Sequence, residues 1–242
     1  MLEKKNYIEG IYNYCNRWCE KCSFTANCIL FTNESKIQTY EILNDNKLPD
    51  VEDIFKDDIE DQLDDEESGY EDFEEDFSAD ELEYEKRHEL SLVEDLSNKY
   101  FQKAYFLIKA ISNEYSLTNL SNSKNVIDSF KKLFGDFEIF SWYCGFIGAK
   151  LMRAIFNERE LQGFSYEDSN DFLLKDMNGS AKIGIIAIRK SDKALNNLFD
   201  FLPKYRDEIE ELLILLGKLL NEAENKFPAY KNFKRPGFDD EQ

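Results

Sequence analysis

Four cysteines near the start of the sequence carry its strongest chemical signal. They are Cys15, Cys19, Cys22 and Cys28, spaced C-x3-C-x2-C-x5-C. The chain opens without an apolar run of signal-peptide length, so we expect a cytoplasmic protein in a reducing compartment. Cysteines in that setting bind metals or do thiol chemistry more often than they form disulfides. The cluster therefore predicts a metal centre held by four thiolates, with a structural or redox-sensing role.

Two kinds of metal centre suit four thiolates. Zinc takes thiolates in tetrahedral geometry, but its structural sites usually come as two separated cysteine pairs. Compact runs with short spacings are typical of iron–sulfur sites. The spacing slightly favours an iron–sulfur cluster and leaves zinc open. The alternative is that these are ordinary buried cysteines, which are common in protein cores.

An N-terminal helix over residues 3–22 is the predicted carrier of the first three thiols. Apolar residues and cysteines recur there in steps of three and four, which is the period of one helix face. Cys15, Cys19 and Cys22 then stand at i, i+4 and i+7. A loop after Cys22 is expected to bring Cys28 to the same point.

The first three cysteines also match the C-x3-C-x2-C spacing of radical SAM enzymes. Those enzymes usually carry an aromatic residue before the third cysteine, where this chain has Lys21. They also need a β/α barrel, while this sequence has helical periodicity almost throughout. Cys28 would in addition fill the iron site that must stay open for the cofactor. We therefore exclude that assignment.

Other side chains with chemical potential give weaker signals. Glu85 and His88 have the Glu-x-x-His spacing of di-iron bundles, but the full motif needs two such pairs and His88 is the only histidine. A solvated helix face is the favoured interpretation. Cys144 stands among aromatic residues and is predicted to be a buried structural cysteine. Carboxylates that could join a bundle metal site are Glu138, Glu158 and Glu210.

Composition and periodicity predict an all-α fold. The chain has only 10 Gly and 4 Pro, and aromatic residues make up 14% of it, which favours long helices and a large core over a turn-rich β fold. Helical patterns of apolar residues predict helices over residues 36–43, 78–115, 121–160, 181–201 and 204–226. We expect the four long helices to form an antiparallel bundle.

Local signals predict where two of these helices begin. Ser78 precedes Glu81 at capping-box spacing, which predicts the start of the first long helix. The sequence Asn178-Gly179-Ser180 predicts a turn that caps the helix over residues 181–201. The chain then divides into a cysteine-rich helical region (1–48), an acidic flexible segment (49–77), the helical bundle (78–228) and an irregular tail (229–242).

The acidic segment holds nearly all of the chain's charge. The net charge is −20, and residues 50–85 contain 20 acidic residues and one lysine, so the remainder is close to neutral. Like charges at this density oppose compaction and predict a solvated loop. The alternative function is therefore a protein-interaction module in which this loop binds a basic protein partner.

The same charge pattern argues against two other classes of partner. Nucleic acid and anionic membranes should be repelled by the acidic segment. The most apolar predicted helix contains Lys150 and Arg153 and is too short to span a bilayer. The sequence gives no indication of a substrate, a reaction or an oligomeric state.

Four segments together resemble an uncharacterised bacterial family of helical proteins. They are YIEGIYNYCNRWCEKCSFTANC, SWYCGFIGAKLMRAI, NGSAKIGIIAI and FPAYKNFKRPGFD, and the likeness as a whole covers most of the chain outside the acidic segment. The family pattern has an Asp after the first cysteine, where this chain has Asn16. The resemblance implies a helical fold with the four-cysteine motif, and it implies no activity.

Overall fold

A computed structural model describes residues 6–44, 47–49, 90–115, 124–163 and 167–239. Within these ranges the chain forms α-helices and short 3-10 helices and no strand, so the predicted all-α class is confirmed. The α-helices are α1 (Ile29–Leu43), α2 (Leu92–Tyr115), α3 (Lys124–Gly163), α4 (Glu167–Phe201) and α5 (Arg206–Lys226). The 3-10 helices are Ile11–Asn13, Cys19–Lys21, Thr25–Asn27, Pro203–Tyr205 and Pro228–Asn232.

Helices α2 to α5 form an antiparallel four-helix bundle. Each packs against the next along the chain, and α2 and α5 close the ring. Arg159 near the end of α3 binds Glu94 at the start of α2 at 2.7 Å. Asn197 near the end of α4 donates a hydrogen bond to Asp136 near the start of α3 at 3.0 Å. Contacts that join the end of one helix to the start of another require neighbouring helices to run in opposite directions.

The bundle core consists of the apolar stripes that the sequence predicts. On α4, the stripe includes Ile185, Ile188 and Leu195, each fully buried. Burying one such side chain stabilises the fold by about 1.5–3 kcal/mol relative to leaving it exposed. The buried residues on α5 are Ile209, Leu212, Leu216, Leu219 and Ala223. Packing of these stripes, more than helix propensity, stabilises helices of this kind.

Helix α2 begins 14 residues later than the prediction that places its start at Ser78. Residues 90 and 91 are not helical, so the prediction of one unbroken helix from 78 to 115 is wrong. The Ser91 N–H donates to the Glu94 carboxylate at 2.7 Å, and the Glu94 N–H donates to Ser91 Oγ at 3.4 Å. This reciprocal pair is a capping box with the same Ser-x-x-Glu spacing as Ser78 and Glu81. Ser78 itself lies outside the described residues.

Helix α4 begins at Glu167, so Asn178, Gly179 and Ser180 lie inside it and the predicted turn is wrong. All three residues are buried. A Cβ atom on Gly179 would lie 2.8 Å from the Phe233 ring and closer still to the Tyr14 ring. Glycine at this position therefore makes room for the rings of Tyr14 and Phe233. It is needed for packing inside the helix and does not end or begin one.

Residue contacts divide the chain into two compact units. The first unit comprises Met1–Tyr12, Arg17–Glu89 and Pro236–Phe238, and the second comprises Asn13–Asn16, Leu90–Arg235 and Asp239–Gln242. Residues 50–89, which hold all but the first residue of the acidic segment together with Glu85 and His88, are not described by the structure. In the described part of the chain, no helix has the length and apolar character needed to cross a membrane.

Candidate metal centre

The predicted helix over residues 3–22 does not form in the described residues from 6 onward. Only short 3-10 turns occur there, at Ile11–Asn13 and Cys19–Lys21. Gly10 has φ 68° and Arg17 has φ 56°, which places both in the left-handed region. A right-handed helix cannot continue through such residues, and for Arg17 the conformation costs about 1–2 kcal/mol. The expectation that three thiols share one α-helix face is therefore wrong.

Three of the four N-terminal cysteines belong to the first unit and lie at the ends of tight turns. Cys19 opens a 3-10 turn, and the N–H of Cys22 closes it on the Cys19 carbonyl at 3.1 Å. Cys28 ends the next turn and is the residue before α1. All three side chains are half-buried. Only short turns separate these three cysteines. Short spacings of this kind are typical of compact thiolate sites.

One sulfur atom already accepts a backbone hydrogen bond. The N–H of Phe24 donates to Cys22 Sγ at 3.4 Å. Hydrogen bonds to thiolate sulfurs stabilise the charged form and adjust the reduction potential of iron–sulfur centres. Phe24 is itself held by an edge-to-face contact with Phe238, with ring centroids 4.9 Å apart. The turn around Cys22 therefore supplies one backbone donor to the Cys22 sulfur.

The described part of the first unit has almost no apolar core. Its buried residues are Ile11 and Trp18 alone. Helix α1 is described throughout and buries none of its 15 residues. Ile42 and Leu43 are 78% and 77% exposed. Small elements without a core usually depend on a metal or on disulfides, and none of the five cysteines, all within the described ranges, forms a disulfide.

Cys15 lies in the segment 13–16, which belongs to the second unit. The residues on either side of it are held by α3: Trp142 Nε1 donates to the Asn16 carbonyl at 2.9 Å, and Lys150 Nζ donates to the Asn13 carbonyl at 3.0 Å. The Asn16 side chain also donates to the Tyr143 hydroxyl at 3.0 Å. The backbone that carries the Cys15 thiol is thus attached to the bundle on both sides.

Tyr14 adds a contact with α4. Its ring lies against Gly179 and packs edge-to-face on Phe233, with centroids 4.7 Å apart, and only 8% of the residue is exposed. Burial, and secondly the negative charge of Asp176, raise the pKa of Tyr14 to about 12. The hydroxyl therefore keeps its proton and remains a donor at any physiological pH.

Asp176 is a buried carboxylate that sequence reasoning missed. It is 3% exposed and accepts two hydrogen bonds from Arg153, at 2.6 and 2.9 Å, and one from Asn157 at 2.6 Å. Buried charges persist only when they are paired and hydrogen-bonded in this way. The available signal was one acidic residue on the apolar stripe of α4, one turn before Gly179.

Two lysines lie at the contacts that hold the 13–16 segment: one binds the segment itself, and the other binds Tyr143, which accepts a hydrogen bond from Asn16. Lys150 binds the Asn13 carbonyl, and Lys190 Nζ donates to the Tyr143 hydroxyl at 3.3 Å. These two ammonium groups therefore take part in the hydrogen bonds around this segment.

The remaining candidate residues do not come together as a metal site in the described chain. Glu158 is paired with Lys226 at 2.5 Å, and Glu210 is exposed. Cys144 is 4% exposed, and burial raises the pKa of its thiol to about 11, which fits the predicted structural role. Across the described ranges, which include Cys15, Cys19, Cys22 and Cys28, no three Cys, His, Asp or Glu side chains are arranged so that they could hold a metal ion. Glu138 is half-buried in α3.

The C-terminal tail contributes an acid-sensitive contact beside Phe233. Lys182 donates to the Phe233 carbonyl and pairs with Asp239 at 2.7 Å, while Arg235 binds the same carboxylate at 2.7 Å. The hydrogen bonds from Arg235, and then those from Lys182, outweigh burial and hold the pKa of Asp239 far below its usual 3.8. Asp239 therefore remains charged over a wide pH range.

We predict that Asp239→Asn flattens the acid limb of the stability profile. A carboxylate with a lowered folded pKa stabilises the fold above about pH 4, and that contribution is lost as the pH falls. The variant is therefore expected to be less stable than the native chain at about pH 7 and to lose less stability between about pH 4 and pH 2. Urea unfolding at several pH values measures this. Parallel stability profiles for the variant and the native chain would contradict the lowered pKa of Asp239.

Comparison of this chain with protein-family models, with curated proteins and with solved structures gave no match.

Proposed function

We propose that this protein binds a metal through Cys15, Cys19, Cys22 and Cys28, as an iron–sulfur cluster or a zinc ion with a structural or redox-sensing role. The observation that carries the proposal is the small apolar core in the described part of the first unit. There only Ile11 and Trp18 are buried, and the residues of α1 are at most half-buried. A metal centre supplies the stabilisation that apolar burial does not supply there.

Two further observations support thiolate ligation. The cysteines are not in disulfides, and Cys22 Sγ accepts a backbone N–H. Thiols that are not yet gathered around one point are expected where metal binding and local folding are coupled, because the binding free energy then orders the ligands. The proposal therefore includes a local rearrangement of the thiols on metal binding.

Anaerobic purification followed by metal and sulfide analysis tests the proposal directly. Iron with acid-labile sulfide and broad visible absorbance identifies a cluster. One zinc ion per chain without colour identifies a structural zinc site. A chain that contains neither metal, and that takes up neither when the reduced protein is reconstituted, would refute metal binding.

A further inference from the structure

We propose that the exposed edge between α2 and α3 is the interface through which two copies of this chain form a symmetric dimer. The inference is independent of the metal centre, because every residue that carries it belongs to the second unit. It assigns a role to a row of exposed aromatic side chains that lie outside the bundle core.

Three aromatic side chains of α2 lie together on the outside of the bundle. Phe101, Tyr105 and Phe106 are 44%, 50% and 69% exposed. The ring centroids of Phe101 and Tyr105 are 6.2 Å apart, and those of Tyr105 and Phe106 are 5.9 Å apart. The three rings therefore form one continuous apolar surface along about one and a half turns of the helix.

The neighbouring edge of α3 continues this surface with smaller side chains. A Cβ atom on Gly145 would lie 3.6 Å from the Phe101 ring, so the two helices meet there. Ala149, Met152 and Phe156 follow Gly145 at four, seven and eleven positions, which keeps them on one edge of the helix. Ala149 and Phe156 are exposed. The rings of α2 thus lie beside a strip of small residues on α3.

The size of this surface fits one side of a stable protein interface. Its four aromatic rings, three on α2 and one on α3, are on average about half exposed, so they present roughly 300–500 Å² of apolar area. A standard interface covers about 800 Å² on each partner, and somewhat more than half of that area is apolar. Single exposed apolar residues are common in proteins, but a continuous patch of this size is typical of an interaction site.

The charge beside this surface favours a second copy over a charged partner. Lys99 pairs with Asp95 at 2.5 Å, and Lys103 pairs with Glu211 at 2.6 Å, both within the chain. Lys109 is an exposed charge one turn further along α2, at the rim, where an interface is usually polar. A symmetric interface places a patch against itself, so a strongly charged patch would repel its copy and a nearly neutral one does not.

Two-fold symmetry also makes the shape of this surface complementary to itself. In a symmetric dimer, a residue of one copy that meets a second residue of the other copy is met by that pair in reverse. In the proposed dimer the rings of α2 in each copy lie over the strip at Gly145 and Ala149 in the other, as ridges pack into grooves. The rings of both copies thereby leave water, and this supplies the driving force.

Sedimentation velocity of the full-length chain tests the proposal. At about 0.15 M salt, repulsion between the acidic segments of two chains is screened beyond about 8 Å. The native chain is then expected to sediment with twice the 28.5 kDa mass of one chain.

Two variants place a carboxylate in the interface. Phe106→Glu removes an exposed aromatic ring of α2, and Ala149→Glu adds a longer charged side chain to the strip on α3. Each should raise the dissociation constant of the dimer by about 30-fold or more. The matched control is Phe172→Glu, the same change at a residue that is 64% exposed on α4, which is not a neighbour of α2 in the ring of helices. Circular dichroism shows whether each variant keeps the native helix content.

Each outcome decides for or against this interface. A native dimer that both interface variants dissociate, and that Phe172→Glu leaves intact, supports it. A native chain that remains monomeric at about 100 μM overturns it, because standard-size interfaces bind at micromolar concentrations or below. A dimer that Phe106→Glu and Ala149→Glu leave unchanged also overturns it, since the contact then lies elsewhere. Equal dissociation by all three variants overturns it as well, because the effect is then not specific to this edge.

Discussion

Replacing Cys22 with serine is expected to abolish high-affinity metal binding and to destabilise the N-terminal unit by several kcal/mol. The serine removes one thiolate from the proposed ligand set and replaces the sulfur that accepts the Phe24 N–H by a hydroxyl oxygen on a shorter side chain. Metal binding supplies about 10 kcal/mol or more in small zinc-stabilised elements, so the loss of one ligand should be severe. Cys19→Ser is expected to behave in the same way.

Cys144→Ser is the matched control for these variants. Cys144 is buried in the bundle, where its thiol approaches the Phe101 carbonyl at 3.9 Å. Its replacement should cost about 1–2 kcal/mol in the bundle and leave the metal content unchanged. Hydrogen exchange across residues 6–44, measured with metal present, shows which of these variants destabilises the N-terminal unit. Equal protection in Cys19→Ser, Cys22→Ser and Cys144→Ser would contradict the metal assignment.

Gly179→Ala is expected to destabilise the bundle by about 3 kcal/mol, at the upper end of the usual cost of overpacking a core. The added methyl group would lie 2.8 Å from the Phe233 ring and closer to the Tyr14 ring, so the segment 13–16 and the tail must both shift. Since Tyr14 precedes Cys15, the substitution should also weaken metal binding.

Gly148→Ala is the control for this prediction, because both glycines lie inside long helices. A Cβ atom on Gly148 meets nothing within 4 Å. Alanine in a helix interior is more favourable than glycine by about 0.5–1 kcal/mol, so this variant should be slightly more stable than the native chain. Urea unfolding measures the free energy of unfolding of the Gly179→Ala and Gly148→Ala variants. If Gly179→Ala were as stable as Gly148→Ala, the proposed contact of Tyr14 with α4 would be wrong.

The helices of the bundle are predictable from local sequence because their apolar stripes repeat with the helical period. The β-branched run from Ile183 to Ile188 could suggest a strand, but Leu195 and Leu198 continue its spacing and indicate a buried helix, as observed. The end of α5 is marked equally well, since Pro228 follows the last helical residue, Lys226, within two positions. In both cases the deciding residues lie within a few turns of one another.

The start of α2 is harder to predict than the apolar stripes, because the same capping-box signal occurs twice in the sequence. Ser78 with Glu81 and Ser91 with Glu94 have identical capping spacing. At Ser91, the carboxylate of Glu94 also binds Arg159 on α3, a contact across 65 positions. Burial raises the pKa of Glu94, but the hydrogen bonds from Ser91 and then from Arg159 lower it below its usual value. A tertiary contact thus supports one of two equivalent caps, and local sequence does not contain that information.

The sequence by itself determined that the protein is all-α, which residues form the bundle core, and that four thiols lie close together along the chain. Tertiary structure decided how the cysteine segment is folded. The spacing of Cys15, Cys19 and Cys22 fits a helix face, but the left-handed backbone at Arg17 excludes that helix. Asn16 instead bonds to Trp142 and Tyr143, over 120 positions away. Periodicity records only interactions between near neighbours, so contacts of this range leave no periodic signal in the sequence.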